Sequence, residues 1–328
     1  AKITSFIIDD EAVVEQPVIN EEAGTIVFAV NEEVESLKFT PIIEISEGAT
    51  ITPASGVAQD FSNNKKVTYT VTAEDGTVKV YTAFVEGTRK VLKYSFEDWK
   101  EGSKNDELLP KDLWAGSAAG AGILGGTLLR KETREDGTYA AKLITFEYPN
   151  EPNSLVPKIT AGSIFIGKFD MMPALQGDRL SCTKFGLDAE TVSLGGKPLR
   201  FKGVYKYESG SNYLDASNYE DVKPVDIKDK GQIQDVLYKV QTGEDGKEIV
   251  LTGHDVNTSE LRVAVANIIV EDIKEYTPFN IEFEYLQEYD RNAKYKFAIV
   301  CSSSKDGDLF KGAGGSTLIV DEFEVICE

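Results

Sequence analysis

The C-terminal stretch Lys294–Glu328 constrains the fold most, because it contains two apolar runs joined by a loop of small and polar residues. In the second run, apolar and polar side chains largely alternate between Leu318 and Cys327, which is typical of a β-strand. A strand near the end of a chain commonly pairs with one formed much earlier, since an unpaired strand leaves backbone groups unsatisfied. The expected partner is Val91–Trp99. The sequence therefore predicts one β-domain over residues 89–328 whose first and last strands lie close together.

Residues 1–88 are predicted to form a separate front domain. Residues 1–86 contain 15 Asp and Glu against 5 Lys and Arg, so this piece is more acidic per residue than the rest. Short strands separated by turns, with almost no helical pattern, favour an immunoglobulin-like β-sandwich that acts as a spacer. Its predicted strands are Ile3–Ile8, Thr25–Val30, Leu37–Ile45, Lys66–Ala73 and Val78–Glu86.

The back domain is also predicted to be all-β. Nine strands are enough for two packed antiparallel sheets, and a jelly-roll β-sandwich brings the first and last of them side by side. The predicted strands are Val91–Phe96, Ala140–Glu147, Gly162–Asp170, Leu199–Glu208, Ile233–Gln241, Glu260–Val265, Phe279–Tyr285, Lys294–Cys301 and Thr317–Ile326. The glycine-rich stretch Leu113–Gly126 between the first two is unsuited to a regular helix.

Charge and cysteine content exclude several classes of function. The net charge is −20 with a pI near 4.6, which argues against nucleic acid as a partner and against adsorption to an anionic membrane. Three scattered cysteines, Cys182, Cys301 and Cys327, do not form a disulfide framework, and we expect unpaired thiols. The sequence starts at Ala1 without Met and has no apolar run of about 18 residues. Either a removed export signal or trimming accounts for this start.

Tyrosines in the segment 203–221 suggest a carbohydrate-binding face. Tyr205 and Tyr207 alternate along a predicted strand and so share one face. Proteins bind sugars by stacking aromatic rings on the C–H face of a pyranose while polar side chains take the hydroxyls. Trp114 is a further candidate for stacking, and the candidate hydroxyl partners are Arg200, Asn212 and Asp215. The alternative is that Tyr205 and Tyr207 only pack at a sheet surface.

Catalysis and metal binding depend on carboxylates, because His254 is the only histidine. Glycoside hydrolysis needs two carboxylates at a defined separation, and this acidic chain offers many candidates, including Glu282 and Glu284. Glu97 ends the first predicted strand of the back domain and Asp321 lies in the last. Their expected proximity makes them candidate ligands of a structural calcium ion; otherwise they are exposed acids at a sheet edge. No cofactor is required by any motif.

Five spaced blocks resemble a known family. They are the segments 94–99 (YSFEDW), 113–116 (LWAG), 161–169 (AGSIFIGKF), 199–210 (LRFKGVYKYESG) and 301–325 (CSSSKDGDLFKGAGGSTLIVDEFEV). Together they are similar to the putative carbohydrate metabolism domain, found on exported proteins and lipoproteins of glycan-foraging Gram-negative bacteria. The front piece is similar to the immunoglobulin-like modules that precede such domains. The resemblance implies a jelly roll like that of carbohydrate-binding modules, located at the cell surface, outer membrane or periplasm.

These observations lead to one main functional hypothesis and two alternatives. The chain is expected to bind an oligo- or polysaccharide without turning it over, and to act as a monomer. Its only expected link to a membrane is an N-terminal lipid anchor that has been removed from this sequence. The first alternative is a glycoside hydrolase with a carboxylate pair. The second is a structural or adhesion protein whose sheet edges bind another protein.

Overall fold

The computed structural model describes residues 1–153 and 155–328. The fold is all-β, with about 49% strand and 4% helix. The chain divides into two compact units, one formed by Ala1–Val91 with Ile326–Glu328 and the other by Leu92–Val325. The boundary predicted between residues 88 and 89 falls inside a single continuous strand, Val78–Tyr94.

The first unit is an immunoglobulin-like β-sandwich, as predicted. Its strands are β1 (Ile3–Ile7), β2 (Val13–Asn20), β3 (Thr25–Asn31), β4 (Lys38–Phe39), β5 (Ile42–Ile45), β6 (Thr50–Thr52), β7 (Gln59–Asp60), β8 (Val67–Thr72) and β9 (Val78–Tyr94), which continues into the second unit. The larger sheet has the order β6-β8-β9-β3-β2, in which β3 and β9 are parallel. The ring of Phe28 packs edge-on against Phe39 and Phe61 in the core.

The second unit is built from short and long strands with few helical turns. The strands are β10 (Trp99–Lys100), β11 (Glu107–Leu108), β12 (Trp114–Gly116), β13 (Leu129–Thr133), β14 (Tyr139–Ile144), β15 (Phe146–Glu147), β16 (Ile159–Thr160), β17 (Ser163–Phe169), β18 (Thr183–Phe185), β19 (Leu187–Asp188), β20 (Pro198–Glu208), β21 (Tyr213–Asp215), β22 (Lys223–Val225), β23 (Gly231–Lys239), β24 (Leu251–Thr252), β25 (Arg262–Val270), β26 (Ile273–Glu282), β27 (Glu284–Tyr285), β28 (Tyr295–Ser302), β29 (Lys311–Ala313) and β30 (Thr317–Cys327). The helices are α1 (Ala118–Ala121) and α2 (Met172–Leu175), with 3-10 turns at Leu180–Cys182 and Gly307–Leu309. Among the described residues, no helix has the length and apolar character needed to span a membrane.

Two antiparallel sheets form the jelly-roll sandwich of this unit. The front sheet has the order β24-β18-β17-β28-β23-β25-β27, with β12 also paired to β17. The back sheet contains β13, β14, β30, β20 and β26. Residues at odd positions of β23, such as Ile233 and Leu237, point between the sheets, so even positions such as Val236 face outward. Both sets are buried, because loops cover much of the outer face of the front sheet.

The first and last segments of this unit lie close together, which confirms the organisation predicted from the sequence. The rings of Phe96 and Phe323 pack edge-on with centroids 5.2 Å apart. Lys93 Nζ lies 3.8 Å from Glu324 Oε1. Phe201 packs against Phe323 at 5.0 Å, so the same aromatic cluster extends into β20.

The cysteines agree with the predicted absence of a disulfide framework. Cys182 and Cys301 are buried free thiols, so Cys301 does not bond to Cys327. Burial raises the pKa of the Cys301 thiol well above its usual range.

Candidate functional site

An open cleft of about 190 Å³ lies on the outer face of the front sheet. Its floor consists of two rows of side chains that cross neighbouring strands. Ser163, Ser302 and Gln232 are register partners on β17, β28 and β23 and form one row. Val300 and Gln234 are partners in the next row. Because neighbouring strands lie about 4.8 Å apart, the polar groups of the floor can contact adjacent groups of one ligand.

The walls of the cleft come from segments that are distant in sequence. They are the segments 117–124, 155–161, 169–183, 253–257 and 305–310. Three phenylalanines, Phe169, Phe185 and Phe310, supply aromatic surface. The glycine-rich stretch permits close packing here, since a Cβ on Gly120 would lie 2.7 Å from Cζ of Phe169. A cavity of about 150 Å³ holds a benzene ring, so this cleft has room for one six-membered ring.

A chain of hydrogen bonds links the floor to the walls. Gln234 Nε2 donates to Asn257 Oδ1 at 3.1 Å, and Asn257 lines the cleft together with Asp308. Burial raises the pKa of Asp308, an effect that the backbone N–H of Leu309 opposes. Gln232 Nε2 donates to Asn267 at 2.9 Å. Amide and carboxyl groups are thus held in fixed positions beside the aromatic rings.

Arg179 adds a positive charge to the cleft. Its guanidinium carbon lies 4.8 Å from the ring centroid of Phe310, a cation–π geometry. Burial lowers the pKa of Arg179, although a guanidinium remains charged at neutral pH. Phe310 itself has a φ of 56°, a left-handed conformation that is rare for a bulky residue. Such backbone strain is concentrated at ligand-binding and catalytic sites.

A buried network fixes the wall segment 305–310 from behind. Asp229 Oδ2 accepts hydrogen bonds from Ser304 Oγ at 2.6 Å, from the backbone N–H of Ala313 at 2.7 Å and from Ser316 Oγ at 2.7 Å. Thr145 Oγ1 lies 2.6 Å from Ser304 Oγ and extends the network to the back sheet. The serine-rich loop therefore has a positioning role, since its buried hydroxyls hold both ends of the segment that carries Asp308.

The residues predicted to stack on a sugar do not lie in this cleft. Tyr207 is 2% exposed and its hydroxyl donates to the carbonyl of Ser303, so the prediction of an open stacking face is corrected. A β-bulge between Tyr205 and Tyr207 shifts the pairing with β26. Tyr205 is half-buried on β20 of the back sheet and does not line the cleft. Trp114 is 6% exposed because its ring packs on Phe96, and its remaining surface faces a second cleft.

The predicted hydroxyl partners are likewise outside the cleft. Arg200 donates to Asn280 and Glu282 within the back sheet. Asp215 forms an ion pair with Lys311 at 2.7 Å, which lowers the pKa of Asp215 to about 2. Asn212 is exposed in the loop before β21. The structure does not bring these residues together into one site.

Glu97 and Asp321 do not form the expected calcium-binding pair. Asp321 is 3% exposed and its Oδ2 lies 2.5 Å from Nη1 of Arg134, which supplies the positive charge that a cation would provide. Glu97 accepts a hydrogen bond from the backbone N–H of Tyr139. Among the described residues, no group of three or more His, Cys, Asp or Glu side chains is arranged to hold a metal ion. The predicted pairing is therefore corrected.

Sequence reasoning missed the residues that do converge. Gln232 and Gln234 occupy alternate positions of β23 on either side of Ile233, and this was the available signal for a polar outer face. Arg179, Asn257 and Asp308 lie in loops, where the sequence contains no indication that they meet.

Comparisons with known proteins agree with this architecture. Residues 68–326 match the family described as "Putative carbohydrate metabolism domain", and residues 3–85 match the family described as "SGBP, N-terminal". A comparison with curated proteins finds no significant match.

Two solved structures are similar to the chain over most of their length. One, described as a putative glycoside hydrolase from Bacteroides thetaiotaomicron, is 30% identical with a TM-score of 0.62, and the match covers 100% of this chain and 96% of that one. The other, described as a putative glycoside hydrolase from Bacteroides vulgatus, is 28% identical with a TM-score of 0.59, covering 72% of this chain and 98% of that one. The chain thus belongs to the putative carbohydrate metabolism domain family, with a front domain similar to the SGBP N-terminal domain.

Proposed function

We propose that the chain is a non-catalytic carbohydrate-binding protein that holds an oligo- or polysaccharide in the cleft on the front sheet. The observation that carries this proposal is the lining of the cleft, where Phe169 and Phe310 lie beside the amides of Gln232, Gln234 and Asn257. Aromatic surface with a few fixed polar groups is the combination that binds the apolar and hydroxyl faces of a sugar ring.

The number of carboxylates that line the cleft favours binding over hydrolysis. Most glycoside hydrolases use two carboxyl groups that flank the scissile bond. Asp308 is the single carboxylate among the described residues that line the cleft. Its raised pKa suits an acid, but a second carboxylate at the required separation is absent from that lining. The hydrolase description of the similar Bacteroides structures makes turnover the competing outcome of the experiment below.

The remaining properties follow from this function. We propose that the protein acts outside the cytoplasm, at the cell surface or in the periplasm. Two matches support this location: residues 3–85 are similar to the SGBP N-terminal family, and residues 68–326 belong to a carbohydrate-related family. We propose that a monomer suffices and that no cofactor is needed, calcium included. Equal glycan affinity in the presence of Ca²⁺ and of EDTA is the expected result.

A glycan array with the full chain, combined with an assay for newly released reducing ends, tests the function. Hits are then measured by titration calorimetry with Phe169→Ala and Gln232→Ala as cleft variants. Each variant should weaken binding at least about tenfold, which corresponds to about 1.4 kcal/mol. Tyr205→Ala is the matched control, because it removes an aromatic ring from the back sheet rather than from the cleft. We expect its affinity to stay within about twofold of the wild type. Melting curves for each variant check that it is folded.

Three results would contradict the proposal. Loss of binding in Tyr205→Ala with unchanged cleft variants would place the site on the tyrosine strand. Release of reducing ends that Asp308→Asn abolishes would make the protein a hydrolase. No binding to any glycan would favour a structural or adhesion role.

A further inference from the structure

Arg179 has no acidic partner among the residues that the structure describes, although the protein as a whole is strongly acidic. The chain has 55 Asp and Glu against 35 Lys and Arg, so most cations have a carboxylate within reach. Arg89, Arg130, Arg134 and Arg200 all form ion pairs. No carboxylate or hydrogen-bond acceptor among the described residues engages the guanidinium of Arg179.

The residues around Arg179 explain its position, but among the described residues they provide no hydrogen-bond acceptor for the N–H groups of its guanidinium. The ring of Phe310 holds the guanidinium by a cation–π contact at 4.8 Å. The groups that interact with its charge are Tyr219 and Cys182, a phenol and a thiol rather than carboxylates. A partly desolvated charge without a partner is costly, so a structure that keeps one commonly supplies it with a ligand. Five N–H donors in a planar fork match an anion that accepts two hydrogen bonds at once.

The other charges in the cleft do not satisfy this fork. Lys305 Nζ lies 2.8 Å and 2.7 Å from the two carboxylate oxygens of Asp306, so its charge is already paired. Asp308 also lines the cleft but forms no ion pair with Arg179 among the described residues. Among the described residues that line the cleft, Arg179 is therefore the one cationic donor group available to a ligand, beside an aromatic ring and above a floor of amides.

We propose that the cleft selects glycans whose sugars carry an anionic group, a uronic acid carboxylate or a sulfate ester, and that Arg179 binds this group. The proposal rests on the proposed carbohydrate-binding function of the same cleft. In this arrangement the guanidinium binds the anion edge-on while its face stays on Phe310. Gln232 and Gln234 then contact hydroxyls of the same or the next sugar. Because the protein as a whole is acidic, such selectivity must come from this local contact and not from general attraction.

Calorimetry with matched oligosaccharide pairs tests the inference on the full chain. The probes are trigalacturonate with its methyl ester, mannuronate oligomers with their carboxyl-reduced form, and sulfated galactan oligomers with their desulfated form. For at least one pair, the wild type should bind the acidic member at least about thirtyfold more tightly. Arg179→Gln should abolish that difference, and Arg179→Lys, which keeps the charge but loses the fork, should retain part of it. Arg200→Gln is the control, since it removes an arginine already paired with Glu282.

The outcomes separate this inference from the function on which it rests. Preference for the uronate or the sulfate pair identifies which anion Arg179 accepts. Equal binding of neutral and acidic members, unchanged in Arg179→Gln, would overturn the inference and leave carbohydrate binding intact. An acidic preference that survives Arg179→Gln would also overturn it. Failure of all probes together with all glycans on the array would overturn both proposals.

Discussion

Asp235 is a carboxylic acid enclosed by the core of the second unit. It is fully buried, and neither carboxyl oxygen has a hydrogen-bond partner among the described residues. Burial raises the pKa of Asp235 well above its usual value, because the charged form cannot be solvated there. The folded protein consequently holds a proton that the unfolded chain releases above about pH 4.

This proton makes stability depend on pH in a predictable direction. The stabilisation from Asp235 is fully present below about pH 4 and is lost as pH rises toward the folded pKa, by up to about 1.4 kcal/mol per pH unit. In Asp235→Asn the side chain is neutral at every pH, so this dependence disappears. The melting temperature of the variant minus that of the wild type should therefore increase between pH 5 and pH 8. Thermal melts in matched buffers measure this difference, with the exposed Glu244→Gln as control. Parallel curves for wild type and Asp235→Asn would show that the acid is not neutral in the folded state.

Among the elements, the loop between β28 and β30 depends on a single buried acceptor. Asp229→Ala would leave the hydroxyls of Ser304 and Ser316 and the N–H of Ala313 without their partner. Each unsatisfied buried donor costs about 1–3 kcal/mol, so we expect a loss of at least about 3 kcal/mol in the free energy of unfolding. Glycan binding should weaken as well, since this loop forms a wall of the cleft.

Urea unfolding and calorimetry on the same samples check both effects. Asp272→Ala is a suitable control, because Asp272 also accepts a backbone hydrogen bond but is exposed. It should cost less than about 1 kcal/mol. An Asp229→Ala protein with normal stability and normal affinity would contradict the supporting role of this network.

The elements also show how far the sequence predicts the fold. The strands observed at Tyr295–Ser302 and Thr317–Cys327 lie within one residue of their predicted ends, because their apolar patterns are long and regular. The strand at Val13–Asn20 was missed, since Pro17 and its polar neighbours weaken the pattern; the proline is tolerated because this strand is at a sheet edge with irregular register. Strand β26 starts at Ile273, six residues earlier than predicted, because exposed charged residues are tolerated on its edge position.

The site was much less predictable than the strands. The row that joins Gln232 to Ser302 exists only because β23 and β28 pair in one register, and a local pattern contains no information about that pairing. Conversely, the tyrosine-rich stretch drew attention by its composition, but Tyr207 and Tyr213 are each at most 5% exposed. Aromatic residues near a surface loop are as suited to the core as to a ligand, and burial decides between the two.

For the whole molecule, the acidic composition determines colloidal behaviour. A net charge of −20 at pH 7 keeps molecules apart, and the charge approaches zero near the pI of 4.6. Solubility should therefore pass through a minimum near that pH and recover on either side. Static light scattering between pH 3.5 and pH 8 measures this, at constant ionic strength. Constant scattering across that range would show that repulsion between molecules does not limit association.

The separation between a sheet floor and loop walls has a consequence for how ligand choice can diversify. The floor residues lie on strands whose pairing also forms the sandwich, so substitutions there can destabilise the fold. The walls consist of segments that lie between the strands, such as 253–257 and 305–310. Exchanging one wall changes what the cleft accepts while the sandwich remains intact. Membership of this family therefore predicts the scaffold of a relative far better than it predicts the sugar that the relative recognises.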